Sequence, residues 1–289
     1  MPAKNLFAYK KYSYTLPFQI YYRKGVFHMT LREIRRIRWS EEDRYPFNPD
    51  VVKNFKSLKL NAPVTIIAGD NGSGKTTLLE GIAAAAGSIL ISGEHMEMDR
   101  SFSPAFELAN ELKLIWSVKT GNGFFFRASD FITYTRSLAN IREEARITME
   151  EIKKRDPNSL EILPYARTYY ELRHLYGAGL DKRSHGESFL DLFQARFRPN
   201  GFYILDEPEA PLSPNRQLSL LAMLHDMVKE GARFLISTHS PILMAYPGAD
   251  LYEIQNGELV NLPFDEIGHV SLTRNFLNEP ERYFRHLFD

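Results

Sequence analysis

Residues 69–76, GDNGSGKT, place glycines, a lysine and a threonine in the spacing G-x-x-x-x-G-K-[ST]. Glycine lets the backbone approach a ligand closely and adopt positive φ. A lysine at this position can reach the terminal phosphates of a nucleotide, and the threonine hydroxyl can bind Mg²⁺. A chance glycine turn is the alternative, but the segment predicts a phosphate-binding loop. Its binding residues are Gly69, Asn71, Gly72, Ser73, Gly74, Lys75, Thr76 and Thr77.

Two apolar segments farther along the chain end in further polar residues. GFYILDEPEA (201–210) contains Asp206 and Glu207, and RFLISTHSP (233–241) contains His239. Alone, such residues are usually a solvated loop or a structural histidine. In a phosphate-loop enzyme, however, a carboxylate at a strand end holds Mg²⁺, and its neighbour orients or deprotonates the attacking water. We therefore predict metal binding by Thr76 and Asp206, and catalysis by Lys75, Glu207 and His239.

The elements around these motifs predict an α/β fold. VTIIAG (64–69) is a β-branched run bounded by glycine, typical of a buried parallel strand, and TTLLEGIAAAA (76–86) is a good helix former. The phosphate loop therefore leaves a strand and opens a helix, where backbone N–H groups can bind an anion. Segments 201–210 and 233–241 predict strands of the same parallel sheet, which places His239 at the same end of the sheet as the loop.

The composition of the chain limits the classes of function. The 289 residues contain 36 basic and 36 acidic side chains, a formal net charge of zero, whereas proteins that bind nucleic acid by bulk electrostatics carry a basic excess. The absence of cysteine excludes a disulfide framework, a CxxC zinc site and a thiol nucleophile. No apolar run approaches the roughly 18–20 residues of a membrane helix. We expect a soluble, cytoplasmic protein forming a single domain over residues 1–289.

The order of phosphate loop, ILDEPEA and STHS resembles the ABC-type ATPase superfamily over roughly residues 30–260. LREIRRIRW (31–39) and FKSLKL (55–60) are similar to the first strands of RecF and SMC-type heads, and the chain resembles small stand-alone bacterial ATPases of that kind. The resemblance implies a P-loop NTPase fold with an ABC-type head. That fold has a mostly parallel core sheet, N-terminal antiparallel strands and an inserted helical lobe. It also implies ATP and Mg²⁺ as cofactors.

The inserted helical lobe is expected at residues 95–185. Several segments in this interval have helical composition, among them SPAFELANELKLIWS (103–117) and LANIREEARITMEEIKKR (138–155). The interval is too short for the long antiparallel coiled coil of SMC proteins, and no sustained heptad occurs in it. We therefore predict a compact lobe within the ATPase domain.

The segment RSHGES (183–188) occupies the place of the family's LSGGQ signature. The resemblance implies that Ser184 and Gly186 contact the γ-phosphate of ATP bound to a second subunit. The match is partial because Arg183 replaces the leucine and His185 replaces a glycine. An ordinary serine N-cap before a helix is the alternative. The implied assembly is an ATP-dependent, two-fold homodimer.

One element of the family pattern is missing. No glutamine occurs between residues 77 and 193, where the family's Q-loop glutamine should lie. GFFFRASDF (123–131) is the best replacement, because it predicts a strand ending in Arg127, Ser129 and Asp130. The missing glutamine argues against the usual coupling to a transmembrane partner.

Residues before the phosphate loop have both structural and functional interpretations. Tyr45 and Phe47 lie at about the distance where ABC proteins stack an aromatic ring on adenine, although core packing is the alternative. A basic cluster could contact nucleic acid, although a solvated strand face is the simpler interpretation. It consists of Arg32, Arg35, Arg36 and Arg38.

Several functions are compatible with these motifs. The leading hypothesis is a soluble, non-transporter ABC-type ATPase that serves DNA maintenance or defence, with nucleic acid or an effector protein as partner and no stable membrane association. The first alternative is the nucleotide-binding subunit of an ABC membrane transporter. The second is a nucleotide-sensing partner of a separate effector. A P-loop kinase would leave the STHS and SHGES segments without a role.

Overall fold

The computed structural model describes residues 31–176 and 185–288. Its strands are β1 Leu31–Arg36, β2 Ser57–Lys59, β3 Val64–Ala68, β4 Leu112–Trp116, β5 Phe125–Arg127, β6 Phe202–Asp206, β7 Arg233–Ser237, β8 Asp250–Gln255 and β9 Glu258–Asn261. Its helices are α1 Asp50–Asn54, α2 Lys75–Ala86, α3 Ser103–Ala109, α4 Ala128–Arg155, α5 Ile162–Tyr176, α6 His185–Arg196, α7 Pro214–Lys229, α8 Pro241–Met244, α9 Gly268–Asn278 and α10 Pro280–Leu287.

A six-stranded sheet of order β5-β6-β7-β3-β8-β9 forms the centre, and only the β8–β9 pairing in it is antiparallel. Strands β3, β6 and β7 are buried at every position, which explains why their sequences are continuous apolar runs without alternation. In register, Arg127 lies opposite Asp206, and Asp206 lies opposite Ser237. The strand ends that carry the predicted motifs therefore meet at one edge, which confirms the α/β P-loop fold.

A three-stranded antiparallel sheet of order β2-β1-β4 lies beside the main sheet. The N-terminal antiparallel strands expected from 31–39 and 55–60 are therefore present. The helix predicted over 103–117 is only partly formed, since α3 ends at Ala109 and 112–116 form β4. A short apolar run such as LKLIW fits either a helix or a strand, and its pairing with β1 decides the outcome.

The helical lobe begins later than expected at residue 95. Residues 96–127 contribute α3, β4 and β5 to the body of the domain, and α3 packs against α2. The helical insertion is the hairpin of α4 and α5, which starts at Ala128, directly after β5. Within the described ranges, no helix is long and apolar enough to cross a membrane.

Aromatic side chains attach the insertion and α6 to the main sheet. Phe189 of α6 lies 5.1 Å from Phe126 of β5 and 5.0 Å from Phe131 of α4, as distances between ring centroids. The ring centroids of Phe193 and Phe189 are 4.5 Å apart, and the two rings are tilted against each other. These rings are almost fully buried. The helix that follows the predicted signature is therefore held against β5, the neighbour of the strand that ends at Asp206.

Candidate active site

The phosphate loop connects the end of β3 to the start of α2. Gly74 is the N-cap of α2, with φ at 91°. A Cβ at this position would lie 2.7 Å from Val51 Cγ1 and 2.8 Å from Pro49 Cβ, so no larger residue fits without displacement of α1. Both the positive φ and the close approach require glycine here. The backbone N–H groups of the first turn of α2 are thereby available to an anion.

Lys75 lies at the mouth of this loop and is 4% exposed. Its Nζ donates hydrogen bonds to the carbonyl oxygens of Gly69 at 2.7 Å and Asp70 at 2.9 Å. Burial lowers the pKa of Lys75, while the nearby carboxylates, Glu207 first among them, oppose that shift. The ammonium group is thus held over the loop by neutral carbonyls, which phosphate oxygens can replace as acceptors.

Asp206 and Thr76 are in direct contact. The Thr76 hydroxyl donates to Asp206 Oδ2 at 2.8 Å, and the Ser237 hydroxyl donates to Asp206 Oδ1. Burial raises the pKa of Asp206, and the two hydroxyl hydrogen bonds partly offset this effect. Mg²⁺ prefers oxygen ligands, few of them from the protein and the rest from water and phosphate. The paired oxygens of Thr76 and Asp206 match that donor set.

Glu207 and His239 face each other beside this pair. Glu207 has φ at 50°, an unusual left-handed conformation for a residue with a side chain, and its N–H donates to Ser237 O at 3.0 Å. His239 Nε2 lies 3.3 Å from Glu207 Oε1. The contact lacks hydrogen-bond geometry, and within the described ranges the buried Nε2 has no hydrogen-bond partner. The His239 Nε2 atom therefore faces the site with its hydrogen-bonding capacity unused.

The charge state of His239 follows from its surroundings. Burial lowers the pKa of His239, the Lys75 and His269 side chains lower it further, and Glu207 raises it. With an ordinary pKa of about 6.5 shifted downwards, the imidazole is neutral at neutral pH. A neutral imidazole has one N–H donor and one acceptor, so its tautomer decides what it can offer a ligand.

Two residues in contact with His239 were not identified from the sequence. Glu209 is half-buried, and its Oε1 accepts the backbone N–H of His239 at 2.6 Å, which fixes the loop after β7. Burial raises the pKa of Glu209. His269, from α9, lies against the His239 ring. Glu209 sits two residues after Glu207 and could have been found, whereas no local pattern marks His269.

The residues suggested as a replacement for the missing glutamine form an ion-pair cluster. Arg127, at the end of β5, donates two hydrogen bonds to Asp130 at 3.0 Å each, and a third to Glu80 Oε1 of α2 at 2.5 Å. Ser129 donates to Asp130 at 3.2 Å, and the Tyr45 hydroxyl donates to Glu80 Oε2 at 3.3 Å. The three candidate replacements thus lie together one strand away from Asp206, linked to the helix of the phosphate loop by Glu80.

Replacing Arg127 is expected to destabilise the fold. Arg127→Ala leaves the Glu80 carboxylate, 4% exposed, without its cation, and breaking such a pair costs about 3 kcal/mol of unfolding free energy. Urea denaturation at neutral pH measures the loss. The matched control is Arg146→Ala, whose partners Glu143 and Glu150 are exposed, so that its loss of stability should be much smaller. Equal losses for the two variants would contradict the assignment.

The deficit of Arg127→Ala should also depend on pH. Burial raises the pKa of Glu80 above its unfolded value, so its charged form destabilises the folded state above that value. Below it, the carboxyl is protonated in both states and this cost disappears. The stability difference between Arg127→Ala and wild type should therefore shrink on acidification, and a difference that grows would contradict the explanation.

The remaining residues predicted from the sequence differ in how exposed they are to solvent. Phe47 is 6% exposed in the core and is not available to adenine, whereas Tyr45 is 46% exposed beside α2. Thr77 is buried in α2, and Asn71 is exposed on the loop. The buried Ser73 hydroxyl has no hydrogen-bond partner in the described part of the chain.

Of the two predicted signature residues, Gly186 lies within the described part of the chain and Ser184 does not. Gly186 lies in the first turn of α6. Ser184 lies outside the described residues. Its contact with a second subunit therefore stays a prediction.

One protein family and several known proteins are similar to this chain. The family described as an AAA domain (AAA_23) matches residues 47–200, more than half of the chain. The energy-coupling factor transporter ATP-binding protein EcfA of Methanosphaera stadtmanae is 25% identical over 224 residues, covering 75% of this chain and 74% of the relative. EcfA of Methanocaldococcus jannaschii is 25% identical over 230 residues, with the same coverage.

Among solved structures, the chain is similar to cbiO1 from Clostridium perfringens, part of the ABC transporter complex cbiONQ. The sequence identity is 18% and the TM-score 0.45, over 90% of this chain and 99% of that one. At that score the likeness adds nothing to the fold assignment, which rests on the strand order and the phosphate loop. The chain belongs to the AAA domain family, and it is an ATP-hydrolysing member of the ABC-type ATPase superfamily.

Proposed function

We propose that this chain hydrolyses Mg-ATP at the edge where β3, β6 and β7 end, and that it does so as an ATP-binding subunit working on a separate partner. The observation that supports the site most strongly is the convergence of four groups of complementary chemistry at that edge. Lys75 supplies a cation, Asp206 and Thr76 supply paired oxygens, and Glu207 supplies a carboxylate beside the unsatisfied Nε2 of His239.

Each residue has a distinct task in the proposed reaction. Lys75 exchanges its two carbonyl acceptors for oxygens of the β- and γ-phosphates. Glu207 orients the attacking water and accepts its proton as the water oxygen bonds to the γ-phosphorus. The bond to the bridging oxygen breaks, and that oxygen leaves with the electron pair as part of ADP. His239 donates a hydrogen bond to the γ-phosphate. A bound Mg²⁺, held by Thr76 and Asp206, would neutralise the charge that develops on the phosphate oxygens.

We propose that ATP joins two copies of the chain across a two-fold axis. Ser184 and Gly186 match the family signature, which acts on ATP held by the other subunit. A C₂ arrangement completes two such sites at once. Because ATP contacts both copies, its binding should favour association.

Light scattering tests the dimer. The Glu207→Gln protein should become dimeric with Mg-ATP and stay monomeric with Mg-ADP, which lacks the γ-phosphate. Adding Ser184→Arg should abolish dimerisation by crowding that phosphate, while Ser101→Arg, at an exposed serine just before α3, is the matched control. A Glu207→Gln protein that stays monomeric at saturating Mg-ATP and high protein concentration would contradict the sandwich arrangement.

The biological role favoured from the sequence alone, DNA maintenance or defence, has no support from the two relatives described above. The two EcfA proteins are named as transporter ATP-binding proteins. Arg36 of the basic cluster (Arg32, Arg35, Arg36 and Arg38) is also unavailable to a ligand, because it is 3% exposed and its guanidinium is paired with Glu111 at 2.5 Å. A buried, paired arginine cannot bind a nucleic-acid backbone. We therefore favour the transporter alternative, with a membrane-embedded protein as partner and a location at the cytoplasmic face of the membrane.

Purification from native membranes tests the transporter role. The Glu207→Gln protein, expressed in its own host, should be recovered after detergent extraction in a fixed ratio with an integral membrane protein. The ATPase rate of the wild-type complex should change on reconstitution into lipid. Recovery from the soluble fraction alone, together with salt-sensitive binding to DNA, would reverse the preference.

A further inference from the structure

A second histidine lies directly behind His239. His269 is the second residue of α9, and the start of this helix is fixed by a hydrogen bond from the Gly268 N–H to Glu253 Oε1 at 2.8 Å. His269 Nε2 is 3.2 Å from His239 Nδ1, and the ring centroids are 5.2 Å apart. The same Nε2 lies 4.0 Å from Asp70 Oδ1 of the phosphate loop. The two imidazoles thus form a chain between Asp70 and Glu207.

When each ring carries a single N–H, two arrangements of protons satisfy the contact, since one nitrogen must donate and the other accept. In the first, His269 Nε2–H donates to His239 Nδ1, and His239 carries its own proton on Nε2. In the second, His239 Nδ1–H donates to His269, and His239 Nε2 is a bare acceptor. Only the first arrangement lets His239 donate from Nε2.

The surrounding charges favour the first arrangement. Glu207 Oε1 is 3.3 Å from His239 Nε2, so a bare Nε2 would set a lone pair against a carboxylate. Asp70 Oδ1 is on the side of His269 Nε2, where it likewise attracts a proton. The remaining carboxylate, Glu209, does not select between the two arrangements, because its Oε1 accepts the backbone N–H of His239. The Lys75 ammonium group disfavours the doubly protonated, cationic form of His239. Both Nε2 atoms are therefore the protonated ones.

We propose that His269 is a positioning residue that fixes the tautomer of His239, so that the His239 Nε2–H is directed at the γ-phosphate of ATP. This inference rests on the proposed role of His239 in hydrolysis. It adds a residue from α9, more than sixty positions beyond Glu207 in the chain, to the site. It also explains the unused Nε2 of His239, since that donor is held ready for a ligand.

The tautomer can be measured directly. In full-length protein carrying ¹⁵N-histidine, at mildly alkaline pH, protonated and bare ring nitrogens have different ¹⁵N chemical shifts, and His239→Gln identifies the His239 signals. Wild type should show His239 protonated on Nε2 and bare on Nδ1. His269→Gln keeps an amide donor and should preserve this state. His269→Glu replaces the donor by an acceptor and should move the proton to Nδ1. A bare Nε2 in wild type, or a state that is the same in His269→Glu, would overturn the proposal.

Kinetics separate this inference from the proposed function. Loss of one hydrogen bond that orients a donor should lower kcat about tenfold in His269→Leu, without changing the affinity for ADP. His269→Gln should recover most of the rate, and Thr273→Ala, on the exposed side of the same helix, should match wild type. If His239→Gln is slow but His269→Leu turns over like wild type, the inference is wrong and the role of His239 stands. If neither variant is slow, the proposed role of His239 fails as well.

Discussion

Glu207→Gln is expected to lower kcat for ATP hydrolysis by roughly 10²- to 10⁴-fold while leaving Mg-ATP binding intact, since positioned general bases contribute about that much. The amide keeps the size of the carboxylate but cannot accept the proton of the attacking water. The left-handed backbone at Glu207, tied to Ser237 by its N–H, is retained in the variant because glutamine replaces glutamate without changing the backbone. Binding is spared because Lys75, Thr76 and Asp206 are untouched.

Phosphate release and equilibrium ATP binding should be measured on the same protein preparation. Glu258→Gln, an exposed glutamate of β9, is the matched control and should turn over like wild type. Asp206→Asn should differ from Glu207→Gln by losing the dependence of ATP binding on Mg²⁺, because it removes a carboxylate from the Thr76 pair. A Glu207→Gln protein with wild-type turnover would remove Glu207 from the mechanism.

The second large effect is expected from Lys75→Ala, which should abolish tight ATP binding. The ammonium group is the cation closest to the loop, held by the carbonyls of Gly69 and Asp70, and charge-assisted hydrogen bonds to phosphate are among the strong ones. Wild type should gain about 2.7 kcal/mol of unfolding free energy when Mg-ATP is present at a hundredfold excess over its dissociation constant. Lys75→Ala should gain almost none.

Thermal unfolding with and without Mg-ATP measures this difference. Lys113→Ala, an exposed lysine of β4, is the control for loss of a positive charge. Lys75 is buried against carbonyl groups with its pKa lowered, so the variant should fold without ATP. If Lys75→Ala is stabilised by ATP as strongly as wild type, the phosphate loop does not bind the nucleotide.

The parts of the site that are formed by short sequence motifs could be predicted from the sequence. The phosphate loop follows from glycine spacing next to a β-branched strand. The meeting of Asp206 with the end of β7 follows from the rule that parallel strands end at one edge. These inferences need only local pattern and the known geometry of a parallel sheet.

The parts of the fold and of the site that depend on long-range packing could not be predicted from the sequence. Glu80 lies on the buried side of α2, and no local pattern shows that Arg127, at the end of β5, donates a hydrogen bond to it. His269 comes from a helix whose position is set by a backbone contact to Glu253. The strand over 112–116 looked helical because a five-residue apolar run has no decisive period, and its partner β1 lies about eighty residues earlier.

The structure of the Glu207→Gln protein with Mg-ATP bound tests the central claim most directly. The γ-phosphate should lie about 3 Å from both Lys75 Nζ and His239 Nε2, with Mg²⁺ beside Thr76 and Asp206 and with Ser184 of a second copy closing the site. Lys75 should have left the carbonyls of Gly69 and Asp70. A nucleotide whose phosphates lie away from the phosphate loop, or whose γ-phosphate contacts neither Lys75 nor His239, would contradict the account.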